Sequence, residues 1–302
     1  MSKSLVLWVE DEPERMKDFK RDIEEDDTIE LIIRKDAETA VQYLRDNIEK
    51  LSAAVLDIES FINPDSDEET KTSFCRVRDC INELAYRNPI EYFAFTGKKK
   101  YLEDVKGFKE EYRCEIFDKN FEGIQAEDYL REIVNRHVIA KISGKYKAAF
   151  GLSRDIQMDL LQILMILENH DFRNADVYNK IRKVLDWVMG YCYEIGLSQV
   201  EFTGTNLNDC SKFLGSPLML EIIPAYVQRS FHSAVAIANE GSHRLKIDQD
   251  TKDGTAPYLV QSTVFELLNI LIWLRTLSTE EGDIEERRRQ TQAILTAMRT
   301  RQ

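Results

Sequence analysis

No apolar run in the 302-residue sequence approaches the roughly 18 residues that a membrane-spanning helix needs, so a chain outside the bilayer is expected. Basic charge is also short: 41 Lys and Arg stand against 54 Asp and Glu, a formal net charge of −13. Duplex affinity rests largely on neutralising phosphates with Lys and Arg, so a broad nucleic-acid surface is not expected, and only a local basic patch fits the balance. Cysteine is sparse and odd in number: Cys75, Cys80, Cys114, Cys192 and Cys210 are widely spaced, and Cys75 and Cys80 lack metal-ligand spacing. With no signal-peptide apolar region before them, reduced thiols in a cytoplasmic protein are expected. A helix-turn-helix signature, a G-x-x-x-x-G-K phosphate loop, an H-E-x-x-H zinc motif, internal repeats and low-complexity tracts are all missing. A DNA-binding regulator therefore has no support.

What is present is ordinary globular material, 43% hydrophobic and 31% charged, and its length favours two domains, each with its own core. In the first part, short apolar runs alternate with amphipathic stretches. The runs are Leu5 to Val9, Ile29 to Ile33, Ala53 to Leu56, Tyr92 to Phe95 and Glu115 to Phe117. Helical patterns follow them from Pro13, up to Glu49, up to Tyr86, near Leu102 and from Ala126, with a polar insertion at Asn63 to Thr70. Five such β/α units predict a doubly wound parallel sheet, whose ligand sites lie beyond the carboxyl ends of the strands. After His137 the strand signal fades, and residues 139–152 read as a linker or an extension of the fifth helix. From 153 to 302 helical periodicity dominates, at Ile156 to Leu167, Tyr178 to Tyr193, Leu220 to Ala238, Tyr258 to Leu277 and a last segment from Glu280. The expected class is α/β followed by an all-α bundle.

The predicted strand ends carry Glu10 and Asp11, Asp57, Thr96 and Lys119, in the stretches "LVLWVEDEP", "AAVLDIES", "YFAFTG" and "FDKNF". These stretches, over residues 3 to 138, resemble the receiver domain of two-component response regulators. The resemblance implies a flavodoxin-like five-stranded domain at residues 1–138 in which Asp57 accepts a phosphoryl group. It further implies Mg²⁺ held by Asp11, Asp57, the Ile58 carbonyl and, through water, Glu10. Lys119 and Thr96 would then contact the phosphoryl oxygens, and the donor would be a phosphohistidine on a histidine kinase or phosphotransfer protein. Physical chemistry supports the metal: at ~5 Å and an effective dielectric near 20, each pair of charged carboxylates costs about 3 kcal/mol, which a hard divalent ion removes. Three positions depart from the family pattern. Asn120 stands where proline is common and Ile116 where a switch aromatic is common, and the loop after Asp57 is long and acidic. Glu59 in that loop is either a solvated charge or a group that governs water access.

In the second half, "NADVYNKIRKVLDWVMGYCYEIG" and "AVAIANEGSHRLKID" resemble the HEPN superfamily of helical bundles over roughly residues 174 to 277. Catalytic members place an Arg a few residues before a His to act on RNA. Before His243 the corresponding positions hold Ala236, Ile237 and Ala238, so the arginine is missing, and Asn239 with His243 reads as a polar cluster at a helix end. Arg229 and His232 lie one helical turn apart and read as a surface pair; Trp187, Tyr191 and Trp273 read as core. The resulting expectation is a phosphorelay-type signalling protein whose helical half contacts a downstream protein, or a second copy of itself. A phosphorylation-gated ribonuclease is the alternative.

Overall fold

The structure is a computed structural model describing residues 3–25, 27–199, 207–242 and 246–300. It divides into two compact units between Lys141 and Ile142.

The first unit is built on five parallel strands, β1 (Ser4–Val9), β2 (Ile29–Arg34), β3 (Leu51–Leu56), β6 (Glu91–Thr96) and β7 (Ile116–Asp118), ordered β2-β1-β3-β6-β7. Their near-continuous apolar sequences suit strands covered on both faces. Alternate residues divide between two cores. Leu7, Val9, Ala54 and Leu56 pack under α2 (Ala37–Asn47), α3 (Lys71–Leu84) and α5 (Val105–Tyr112). Val6, Trp8, Ala53 and Val55 pack under α1 (Lys17–Glu24) and α6 (Gly123–Lys145). The chain leaves β1 for β2 on one side and then for β3 on the other, so strand order reverses beside β1. The crevice between the ends of β1 and β3 is where such sheets bind ligands.

Two details differ from the sequence expectation. The polar insertion is closed by a small antiparallel pair, β4 (Ser60–Phe61) with β5 (Glu69–Thr70). The single helix expected near Leu102 is one turn, α4 (Lys99–Leu102), followed by α5, which Asp104 caps by accepting from Gly107 N at 2.9 Å. An Asx cap starts a new helix more readily than it continues an old one. Residues 139–145 continue α6 without a break.

The second unit is helical: α7 (Gln157–Glu168), α8 (Val177–Glu194), α9 (Leu207–Leu214), α10 (Ala225–Ser242), α11 (Lys246–Lys252), α12 (Leu259–Leu274) and α13 (Glu281–Arg299). In α12, Val260, Val264, Leu267, Leu271 and Leu274 are fully buried, a four-three spacing that keeps one stripe in the core. α10 begins at Ala225 rather than Leu220, because Pro224 fits just before a helix and not within one. α9 and α11 were not expected, although Leu207, Cys210 and Leu214 carry a helical spacing. α8 ends on Gly196, whose positive φ of 80° is the usual left-handed helix stop. The carbonyls just past its end accept from α13: Ile195 O from Arg287 at 2.8 Å and Gly196 O from the Thr291 hydroxyl at 3.1 Å. Trp273 is core, whereas Trp187 and Tyr191 are only half-buried and stack on each other with centroids 5.0 Å apart.

Candidate phosphoryl and metal site

Strand register brings the site together. Val9 is paired with Leu56, so Glu10 and Asp57 leave adjacent strands side by side, and Asp57 N donates to Val9 O at 3.0 Å. Thr96 is paired with Asp118, and Lys119 N donates to Thr96 O at 3.0 Å, which pins the start of the next loop. The Asp118 carboxylate closes that loop by accepting from Asn120 N at 2.8 Å and Asn120 Nδ2 at 2.9 Å. An Asx turn thus supplies the bend at the position where the resembled family commonly has proline.

From this loop the Lys119 ammonium reaches inward to Asp57 Oδ2 and Glu10 Oε2, each at 2.5 Å, with only 12% of its side chain exposed. Oxygens of Glu10, Asp11 and Asp57 lie within 4.8 Å of one another. One cation therefore faces three carboxyl groups. Burial pushes Glu10 up to about 7, against the opposing pull of Lys119 and with help from Asp57. Burial also raises Asp57 and Asp11 above the usual carboxylate range. Desolvation alone would lower the Lys119 ammonium, but attraction to Asp57 and Glu10 outweighs it and holds the group charged. Asp57 Oδ1 is buried and has no hydrogen-bond partner among the described residues. Glu10 Oε2 meets Lys119 as an ion pair without hydrogen-bond alignment. Buried carboxylate oxygens without donors are costly unless an ion or a proton joins them, so this donor set of hard oxygens fits a divalent cation.

Thr96 is fully buried, and its hydroxyl accepts from Lys98 N at 3.2 Å. Ile58, beside Asp57, is fully buried, and Ile116 is buried within the α2/α3/α5 core. Glu59 is not a solvated charge. Its side chain is 15% exposed, and its carboxylate pairs with Lys100 at 2.5 Å and accepts from Tyr101 OH at 2.8 Å. Burial by itself would raise Glu59, but these donors, with Lys98, hold it below its ordinary value. Glu69 adds a second tie, to Lys98 at 2.6 Å. The acidic insertion after β3 is thereby fastened to the loop after Thr96, an arrangement that charge composition hinted at only as an excess of acid on one side and three consecutive lysines, 98–100, on the other.

In the helical unit, Asn239 Nδ2 donates to Asn208 Oδ1 at 2.8 Å, linking α10 to α9. His243 lies outside the described residues. No protein-family model matches the chain, and no curated protein matches it. No helix among the described residues is long and apolar enough to cross a membrane.

Proposed function

We propose that the first unit is a receiver-type phosphorylation switch in which Asp57 is the phosphoryl acceptor. The observation that carries this reading is the buried Lys119 ammonium, 2.5 Å from both Asp57 and Glu10 at the strand-order reversal. In the proposed step an Asp57 carboxylate oxygen attacks phosphorus, the P–N bond of a phosphohistidine breaks, and the imidazole leaves with the bonding electrons and takes up a proton. Lys119 neutralises charge on the transferred oxygens, the Thr96 hydroxyl donates to one of them, and Asp11, Asp57 and the Ile58 carbonyl, with Glu10 through water, would hold Mg²⁺. When bound, Mg²⁺ supplies positive charge to the phosphoryl oxygens. Phe121 and Ile124, both well exposed just beyond Lys119, offer an apolar rim for the protein that brings the donor.

The same ties suggest how the state is passed on. A phosphoryl group adds about 1.5 to 2 negative charges. Drawing the Thr96 hydroxyl toward it breaks the bond from Lys98 N, and Lys98 and Lys100 are the residues tied to Glu69 and Glu59. The loop after β6 is thus the element that changes, and the helical unit carries the response to a protein partner in the cytoplasm. The chemistry is tested by intact mass after exposure to a small phosphodonor with Mg²⁺. One added phosphoryl group is expected in the native chain and none in Asp57→Asn; an adduct that survives this substitution rejects the assignment.

A further inference from the structure

A groove in the helical unit runs between the end of α9, the middle of α10 and the end of α13. Its volume is about 690 Å³, within the ~300–1,000 Å³ usual for small-molecule sites. Pro217 and Met298 give it apolar surface, and Arg229, His232 and Lys212, the last paired with Asp209 at 3.3 Å, give it nitrogen groups. No carboxylate is among its described lining residues, in a chain with 54 Asp and Glu. Arg229 and His232 stand one turn apart on α10 and so share a face. Neither has a hydrogen-bond or ion-pair partner among the described residues. The wall that bears Arg229 is braced, because buried Gln228 donates to Ser216 O at 3.1 Å and ties α10 to the turn after α9.

We propose that this groove binds a small organic phosphate, with the phosphate at Arg229 and His232 and the organic body against Pro217 and Met298. A guanidinium fork matches phosphate oxygens in geometry, and in an acidic chain an anion is held only where local donors outweigh the overall field. A phosphate carries more charge and spreads its oxygens more widely than a carboxylate, which suits two donors one helical turn apart, Arg229 and His232. The volume and the apolar surface exceed what a bare phosphate ion fills. This site involves neither Asp57 nor the metal ligands, so it stands or falls separately from the phosphorylation switch.

The test is a titration of the full chain in chelator with phenyl phosphate, inorganic phosphate and phenol, read by NMR at the His232 ring and by calorimetry. Phenyl phosphate is expected to shift His232 and to bind more tightly than either other probe. Loss of one charge-assisted donor in Arg229→Gln or His232→Gln is expected to weaken it about tenfold or more, while Lys106→Gln, at an exposed position of α5 in the first unit, leaves it unchanged. Both groove variants replace exposed side chains, so circular dichroism matching the native chain confirms that they fold. No shift at His232 up to about 10 mM probe, a range that includes even the weak millimolar sites, overturns the proposal, as does equal affinity in Arg229→Gln. Equal binding of phenol overturns the anion role, and equal binding of inorganic phosphate overturns the role of the apolar surface.

Discussion

Replacing Glu10 by Gln tests the electrostatics of the candidate site without touching the acceptor. Burial raises the Glu10 carboxyl from its ordinary 4.5 to about 7. At roughly 1.4 kcal/mol for each tenfold change in proton affinity, holding it ionised costs about 3 kcal/mol. A group whose folded pKa lies above its unfolded value favours folding while protonated. That contribution is complete below about 4.5 and is lost as pH rises to about 7. In chelator, therefore, the first unit of the native chain is expected to lose stability across this window. Glu10→Gln stays neutral, so at pH 8 the chelated variant is expected to melt higher than the native chain, by about 2 to 4 °C per kcal/mol recovered. Mg²⁺ at ~100-fold excess over its Kd stabilises by about 2.7 kcal/mol. It is expected to raise the native melting temperature more at pH 8 than at pH 5, and to raise that of Glu10→Gln less. Differential scanning calorimetry at the two pH values, with and without Mg²⁺, reads all four quantities. A chelated Glu10→Gln that melts below the native chain at pH 8, or an equal Mg²⁺ response in both proteins, refutes the reasoning.

Lys119→Met leaves Asp57 and Glu10 buried without their cation, a loss expected to cost about 3 to 5 kcal/mol in chelator at neutral pH. Chemical denaturation measures it, and recovery is expected at acid pH, where the carboxyls protonate. Glu59→Ala removes the partner of Lys100 and Tyr101, and hydrogen exchange is expected to quicken over residues 97–104 with a stability loss below about 1 kcal/mol; unchanged exchange would separate this tie from the mobility of the loop. Gly196→Ala places a Cβ 2.5 Å from Ile284 O at a positive φ of 80°, and thermal melting of the helical unit is expected to show a loss of about 1 to 3 kcal/mol. Gly241→Ala brings a Cβ within 2.4 Å of the Tyr178 ring where α10 crosses α8, with a similar loss of about 1 to 3 kcal/mol expected from overpacking.

The β/α alternation of the first unit, and the appearance of Glu10, Asp57, Thr96 and Lys119 just after apolar runs, were legible in the sequence. Both are written within a few residues: alternation to two faces needs only the local pattern of side chains, and a strand's end is marked by the polar residues that close its apolar run. The same locality explains the misplacements. Short α9 and α11 carry only about two helical turns of signal each, and the break between α4 and α5 depends on one Asp104 cap. What the tertiary structure alone decided is which charges meet. Lys119 reaches Asp57 across 62 positions of sequence and Lys100 reaches Glu59 across 41, pairings that depend on strand order and register rather than on any neighbouring residue. Burial is decided in the same way: Glu10 rises to about 7 because the folded chain buries it beside Asp57, and Glu59 falls because Lys100, Tyr101 and Lys98 of the loop after β6 reach it. Arg229 and His232 are the exposed pair that helical spacing implied, and only the tertiary structure sets them on a groove with α9 and the end of α13. Side-chain periodicity is a property of the local backbone, whereas charge pairing and desolvation are properties of atoms that the folded chain brings within a few ångströms of one another.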